Sequence, residues 1–315
     1  MQHTVIIPSH VFEEQLPQLF NRLHEANHYD EISIDISRVE FLSPAAIVTI
    51  LARCHQWKRQ NKNLCLIGLN QCSAAGYLKR MDFLQHLGIN HGYEQNRHPP
   101  AGRFVPIQSL TFATGSVDLL ASEITQCILP ESSCYDDEYR LIQYATGELL
   151  SNGKYHSEGR AFVSAQFFPK RNLVRIAIAD DGVGIRQKFL TTSRASEAAD
   201  ANSAIRLALI PGVSSALLSP SGLYAARNHR GVGLSLTREL VKGANGEMLI
   251  ATEDGWFYEK QGEIVPHSGT VYYGQGTLVA ATFHRDHIAD YTEMHAKAMR
   301  DIGMFSEGSA DIFLD

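Results

Sequence analysis

The sequence predicts a mixed α/β (α+β) protein with two domains and a short polar linker between them. Strand-like and helix-like segments alternate up to residue 90, a stretch rich in proline and glycine follows at 91–102, and further helices and strands fill 103–285. A chain of 315 residues also exceeds what one ordinary hydrophobic core organises. Residues 286–315 are predicted to form a charged helix and an acidic tail.

The first domain, 1–90, is predicted to pack helices on a sheet. Residues 31–36 (EISIDI) have an apolar residue at every second position, which is typical of a half-buried strand. Residues 44–60 carry apolar residues along one helical face, and Pro44 suits a first helical turn. The apolar run at 64–69 predicts a second strand and 73–84 a second helix. This alternation is typical of an α/β domain.

The second domain, 103–285, is predicted to begin with helices at 116–129 and 136–155, the latter with acidic residues in its first turn. Strands at 161–168 and 173–179 follow, joined by a short turn. The remaining predicted elements are a helix within 195–209, a helix at 234–242, strands at 247–252 and 277–284, and a helix near 286–299.

Composition narrows the functional classes. A hydrophobic content of 44% and a charged content of 20% are typical of a globular protein. The formal net charge of −6 argues against nucleic-acid binding, and no apolar run is long enough to span a membrane. The first residues show no secretory signal, and the five cysteines show no CxxC pair or metal-ligand spacing. We therefore expect a cytoplasmic protein with reduced thiols.

The first candidate motif lies on the predicted helix at 136–155. Glu148 and Asn152 are four residues apart, so they share one helical face and can point into one pocket. A carboxylate there can act as a general base, and an amide oxygen one turn later can ligate Mg²⁺. The same spacing also occurs on ordinary helix surfaces, so this motif decides nothing alone.

Three further motifs contain glycines beside a strand or a helix. In DDGVGI (180–185), Asp180 follows a buried strand and can accept a hydrogen bond from an exocyclic amine, while glycines allow close approach of a flat base. In RGVGLSL (230–236), bare amides at a helix start can hold phosphate. GQGT (274–277) precedes the last strand. Each is equally compatible with a simple turn.

Taken together and in this order, the four motifs resemble the nucleotide-binding boxes of the GHKL superfamily of gyrases, chaperones, sensor kinases and mismatch-repair ATPases. The resemblance covers nearly all of 103–285 and implies ATP and Mg²⁺ as ligands. By position it implies the following roles: Asn152 as the Mg²⁺ ligand, Glu148 as the general base, Asp180 at the adenine amine, Gly182 and Gly184 beneath the base, Gly231, Gly233 and the adjoining Leu234 at the phosphates, and Thr277 near the adenine.

The chain also departs from that family. Kinase-type members often carry a basic residue three positions after the asparagine, where this chain has Tyr155, so Lys154 or Arg230 is expected to supply the phosphate-binding charge instead. Residues 186–230 correspond to the mobile ATP lid. No phosphoacceptor histidine helix precedes the module, which argues against a membrane sensor kinase.

The first domain resembles a STAS domain, the fold of anti-sigma-factor antagonists, through EISIDISRVEFLSPAAIVTIL and LCLIGLNQCSAAGYLKRMDFLQHLGI; a generic α/β domain is the alternative. Phosphorylatable antagonists carry a Ser or Thr where this chain has Pro44, and Ser43 is better placed to cap the following helix. We therefore expect this domain to dock a protein partner, with its nucleotide-responsive surface around 43–47.

Three functions remain open from the sequence. The favoured one is a switch in which Mg·ATP binding and hydrolysis alter the partner contacts of the STAS-like domain. The alternatives are an anti-sigma-type serine/threonine kinase that acts on a separate partner, and a nucleotide-binding module without turnover. A homo-oligomer is compatible with each of the three.

Overall fold

A seven-stranded antiparallel sheet, with helices packed on both faces, forms the centre of the protein. The computed structural model describes residues 2–89, 99–111, 113–156, 159–214 and 231–304. Its helices are α1 (Leu16–Glu25), α2 (Pro44–Arg59), α3 (Ala75–Arg80), α4 (Phe83–His86), α5 (Val117–Ile128), α6 (Asp137–Ser151), α7 (Ile185–Leu190), α8 (Ala201–Ala208), α9 (Gly233–Gly243) and α10 (Tyr291–Asp301). Its strands are β1 (Gln2–Ile6), β2 (His10–Val11), β3 (Glu31–Asp35), β4 (Phe41–Leu42), β5 (Asn63–Ile67), β6 (Phe104–Leu110), β7 (Ala161–Phe168), β8 (Leu173–Asp180), β9 (Glu247–Glu253), β10 (Gly255–Lys260), β11 (Glu263–Ile264) and β12 (Gly274–His284).

The amino-terminal segment, residues 2–89, contains two small parallel sheets. One has the strand order β1-β3-β5, and β2 pairs with β4 in the other. The strands predicted at 31–36 and 64–69 and the helix predicted at 44–60 are confirmed. The helix predicted at 73–84 is instead two short helices, α3 and α4. Asp82 adopts a left-handed conformation, φ +61°, which an aspartate tolerates and which ends the helical path between them.

The large sheet has the order β11-β10-β9-β12-β8-β7-β6. The four strands predicted at 161–168, 173–179, 247–252 and 277–284 correspond to β7, β8, β9 and β12. Its other three strands, β6, β10 and β11, were not predicted. Pro106 lies within β6, an edge strand with a register shift between Val105 and Gln108, and proline obscures a strand pattern for this reason. β10 follows β9 after a tight turn at Asp254.

Both faces of the large sheet are buried, since successive side chains of each strand enter different hydrophobic clusters. On β8, Val174, Ile176 and Ile178 face a cluster shared with α5, α6 and α9. Ala177 and Ala179 face a second cluster, which is continuous with the core of the amino-terminal segment. The predicted division into domains 1–90 and 103–285 therefore lies across one shared hydrophobic core.

Helix α2 lies between the amino-terminal segment and the large sheet. Its prediction as a helix with one apolar face needs correction, because it is buried on nearly every side from Pro44 to Trp57. Small side chains opposite it, including Ala177 and Ala179, let the helix approach the strands closely. Ser43 caps α2 by accepting a hydrogen bond from the Ala46 amide at 3.3 Å, as expected.

This packing corrects the expected docking surface. Ser43 is 0% exposed, and every residue from 43 to 47 is buried. Such a segment cannot present a surface to a partner without leaving the large sheet. The expected nucleotide-responsive surface therefore does not lie there.

Two predictions fall partly or wholly on residues outside the described ranges. Among the segments away from the pocket, these are the linker at 91–102, of which 99–102 lead into β6, and the acidic tail after residue 304. Across the described ranges, no helix has both the length and the apolar character needed to cross a membrane.

Candidate nucleotide site

A solvent-open pocket lies between α6, the carboxyl end of β8, α7 and the start of α9. The empty volume of the pocket is about 960 Å³, and this figure includes the part that is open to solvent. Eight of the predicted site residues line it: Glu148, Asn152, Asp180, Gly184, Gly231, Gly233, Leu234 and Thr277. Four motifs that are separated by as many as about 130 positions in the chain therefore meet at one site.

Asp180 forms the floor at the end of β8, where it is only 6% exposed. Its Oδ1 accepts a hydrogen bond from the Gly182 amide at 2.8 Å, and the Thr277 amide also donates to this carboxylate. Burial raises the pKa of Asp180 to about 7, the neighbouring Asp181 charge acts in the same direction, and the two amide donors oppose them. The group is thus poised to change charge near neutral pH.

The wall beside Asp180 depends on the start of β12, where the strand register shifts between Gly274 and Thr277. Gly276 has φ +93°, and a Cβ at this position would overlap the Asp180 carbonyl oxygen, so only glycine fits. The buried Thr252 hydroxyl donates to the Gly276 carbonyl at 2.8 Å and accepts from the Ile185 amide at 3.3 Å. Thr252 therefore connects the start of β12 to the start of α7. Thr252 was not predicted as a site residue, because its role depends on its pairing with Thr277 on the neighbouring strand.

Glu148 and Asn152 form the opposite side of the pocket. Burial raises the pKa of Glu148 to about 7, a hydrogen bond from Tyr144 opposes that shift, and the Asp118 charge adds to it. A carboxylate that titrates near neutral pH suits a general base. The Tyr144 ring contacts His295 of α10 with ring centroids 5.7 Å apart, so the carboxyl-terminal helix supports this arrangement.

Asn152 lies where the α-helix gives way to a π-helical turn. The helix predicted as continuous over 136–155 ends as α6 at Ser151, and a π-helical turn, Asn152–His156, follows. Such turns are frequent at functional sites. Within the described residues, the buried Asn152 Nδ2 has no hydrogen-bond partner. An orphaned polar group of this kind fits a site built for a ligand.

The start of α9 closes the pocket on its fourth side. Gly233 is the first residue of this helix, and a Cβ on it would overlap the Glu148 carboxylate. The absence of a side chain thus lets the predicted base lie directly against the predicted phosphate cradle. Gly231 likewise has no side chain to occupy the pocket. Its carbonyl oxygen accepts a hydrogen bond from the Gly212 amide at 3.1 Å.

Three of the predicted site residues are not among the described residues that line the pocket. Gly182 lies behind the Asp180 carboxylate rather than in the pocket wall, which corrects its expected position beneath a base. Lys154 does not line the pocket, because its Nζ donates to the carbonyls of Thr114 at 2.5 Å and Gly115 at 2.8 Å. Arg230 lies outside the described residues.

Among the described residues, Lys188 is a cation that lines the pocket wall. It lies on α7, and its charge lowers the pKa of Asp180. Lys188 was not predicted as a site residue, because α7 was not predicted. A residue on a short helix inside a segment taken for a loop carries no periodic signal of its own.

The segment predicted as a mobile lid, 186–230, is helical in its described part. α7 and α8 pack around a small hydrophobic cluster that contains Phe189, Ala204, Leu207 and Val213. Phe189, Val213 and Ser214 also line the pocket. The helix predicted within 195–209 is the shorter α8, preceded by a single 3-10 turn at Ala195–Glu197. Residues 215–230 lie outside the described residues.

The donor set fits a nucleotide with a hard cation better than a metal bound by protein alone. Among the described residues, no group of three or more His, Cys, Asp or Glu side chains is gathered to hold a metal ion. Mg²⁺ commonly takes one or two protein oxygens and completes its shell with phosphates and water. Asn152, beside the glycine-lined start of α9, fits that limited contribution.

Comparison with known proteins assigns no relative to this chain: no protein-family model, curated protein or solved structure matches it. The resemblances to GHKL and STAS proteins therefore stay predictions carried by the residues themselves.

Proposed function

We propose that the protein binds Mg·ATP in this pocket and hydrolyses it, and that the nucleotide state switches the contacts that the amino-terminal segment makes with a protein partner. The observation that carries the proposal is the meeting of four motifs in one pocket, each bringing the chemistry that one part of ATP requires. The pocket brings together the buried Asp180 carboxylate, the glycine-lined start of α9, the Asn152 amide and the half-buried Glu148.

Each part of the nucleotide has a partner of suitable chemistry. The buried Asp180 carboxylate accepts a hydrogen bond from the exocyclic amine of adenine, with Gly184 and Thr277 beside the base. The amides at Gly231 and Gly233, with the positive end of α9, attract phosphate oxygens. Mg²⁺, when bound, neutralises phosphate charge and polarises the terminal phosphoryl group, and Asn152 is the residue that would ligate it.

Glu148 is the proposed general base. A water molecule between its carboxylate and the terminal phosphorus transfers a proton to the Glu148 oxygen as the water oxygen bonds to that phosphorus. The bond from the terminal phosphorus to the bridging oxygen breaks, and its electrons leave with ADP, so the products are ADP and phosphate. The raised pKa of the carboxyl, about 7, makes it a stronger base than an ordinary glutamate at neutral pH. Its position against Gly233 places it next to the proposed phosphate cradle.

Nucleotide binding is tested first, by thermal unfolding with and without Mg·ATP. A ligand that binds only the folded state raises the melting temperature with its concentration. Asp180→Asn should reduce this shift, since it removes a charged acceptor worth about 1.5–3 kcal/mol. Asp30→Asn is the matched control, because Asp30 is exposed and does not line the pocket. No shift for the unaltered protein at millimolar Mg·ATP would refute the proposal.

Turnover is tested with ATP labelled on its γ-phosphate, in the presence and absence of candidate partner proteins. Release of labelled phosphate by the unaltered protein, and its loss in Glu148→Ala, supports the switch. Stoichiometric label on a Ser or Thr of a partner supports the kinase instead. Self-labelling at Ser43 is not expected, because that hydroxyl is buried and caps α2. Binding without either product would leave only a nucleotide-binding module.

A further inference from the structure

Helix α2, which belongs to the amino-terminal segment, contacts the back of the proposed adenine wall. Asp181 follows Asp180 directly, yet its side chain lies on the other side of the sheet end and is only 1% exposed. Its Oδ2 accepts hydrogen bonds from His55 Nδ1 at 2.7 Å and Arg59 Nη1 at 3.0 Å. Its Oδ1 accepts from the Arg160 amide at 2.7 Å.

The same helix also contacts the start of β12 and the residue before it. Gln56 Nε2 donates to Gln275 Oε1 at 2.7 Å, and Arg53 donates to the Tyr273 carbonyl. Gly276, the next residue of β12, packs directly on the Asp180 carbonyl. One helix thus contacts both stretches of chain that form the wall at Asp180.

The contact at Asp181 joins two side-chain donors, His55 and the charged Arg59, to a buried carboxylate. Burial opposes ionisation of Asp181, but the donors, foremost His55, outweigh burial and hold the pKa of this carboxyl below its usual value. His55 and Arg59 are four residues apart, so both reach it from one face of α2. Loss of one donor from a buried carboxylate forces that carboxylate to move or to find another partner.

Asp180 and Asp181 are adjacent in the backbone, so a movement of one displaces the other. A shift of Asp181 changes the direction of the Asp180 carboxylate and of the Gly182 amide bonded to it. Charge-assisted hydrogen bonds depend strongly on distance and angle. The orientation of the proposed adenine acceptor is therefore held from the amino-terminal segment.

We propose that His55 and Arg59 are positioning residues of the nucleotide pocket, acting through Asp181, and that α2 thereby makes nucleotide affinity depend on the docking of the amino-terminal segment. This rests on the proposed nucleotide function. Linkage makes the effect reciprocal: bound nucleotide strengthens the docking of α2 by the same factor by which docking strengthens nucleotide binding. A partner that pulls on the amino-terminal segment would accordingly weaken nucleotide binding.

The test measures the dissociation constant of a fluorescent ATP analogue for full-length variants. His55→Ala is expected to raise it about fivefold or more, the lower range of couplings between sites. His55→Gln, which keeps a side-chain amide donor, should recover part of the affinity. In Asp181→Asn, the His55→Ala substitution should change the dissociation constant by a smaller factor, because its proposed route of action has been altered.

His86→Ala is the matched control. His86 is also a half-buried histidine of the amino-terminal segment: its Nε2 bonds the Ile107 carbonyl at 2.9 Å, and its ring lies 5.7 Å from Phe162, which His55 contacts at 5.9 Å. It does not line the pocket or bond Asp181. Its loss should lower the melting temperature yet leave the dissociation constant unchanged.

The outcomes separate the two proposals. If the unaltered protein does not bind the analogue, the nucleotide function fails. If it binds and His55→Ala lowers only the melting temperature, as His86→Ala does, the positioning role is refuted while the nucleotide function stands. Should His55→Ala fail to fold, Arg59→Lys and Arg59→Ala provide the same comparison, since Arg59 is half exposed and its loss costs less packing.

Discussion

Nucleotide affinity should fall as the pH is lowered from 8 to 6, because the proposed adenine acceptor loses its charge. Burial raises the pKa of Asp180 to about 7. With that pKa, roughly nine-tenths of the group is ionised at pH 8 and roughly one-tenth at pH 6. If only the carboxylate accepts from the adenine amine, the dissociation constant rises about tenfold over this range. The sign is opposite to that expected if neutralising acidic groups simply reduced repulsion of the phosphates.

The assay is a titration with a fluorescent ADP analogue at half-unit pH steps, at fixed Mg²⁺ and ionic strength. The Asp180→Asn variant is titrated in parallel, since its amide does not change charge. The phosphates and Glu148 titrate in both proteins, so the ratio of the two dissociation constants isolates Asp180. A ratio that stays constant from pH 6 to pH 8 would refute the assignment of Asp180 as the titrating acceptor.

Three further predictions follow from the pocket. Glu148→Gln should retain ATP binding but release phosphate at least about 100-fold more slowly, which is the usual effect of losing a general base. The control is Glu123→Gln, at an exposed position on α5, which should not change turnover. Gly276→Ala should lower the melting temperature and abolish nucleotide binding, since its Cβ would overlap the Asp180 carbonyl; Gly303→Ala, at φ +72° in open space, adds only backbone strain. An equal loss of melting temperature in both would contradict this reasoning. Lys188→Ala should weaken nucleotide binding and shift the pH dependence upward, because Lys188 lowers the pKa of Asp180; an unchanged titration would show that its charge does not reach the site.

Much of the large sheet could be predicted, since its strands are separated by turn residues and read as buried or alternating runs. β7, β8, β9 and β12 fall within a few residues of their predicted bounds. β6 was missed because Pro106 interrupts its pattern at a sheet edge. α7 was missed because a helix of 6 residues is too short to show a period against its serine- and alanine-rich surroundings.

The candidate site likewise contains residues that a local sequence pattern could predict and residues whose position depends on distant parts of the chain. Glu148, Asn152, Asp180 and the glycines carry local signals, since each stands at a defined point of a helix or strand end. Lys154 looked equally suitable, but carbonyls at 114 and 115 take its ammonium group away from the pocket. Those carbonyls lie about 40 residues earlier in the chain, so no local pattern could have shown their proximity.

The sequence by itself determined four strands of the large sheet, β7, β8, β9 and β12, and the order of the polar and glycine residues that meet at its pocket. Both depend on periodicity and on backbone conformation over a few residues. Only the tertiary structure decided that α2 is buried between two sheets and that His55 bonds Asp181, 126 residues away. The physical reason is that burial of a helix depends on the surfaces on both of its sides. A hydrogen bond between distant residues likewise depends on packing that brings their elements together, and neither leaves a repeat in the sequence.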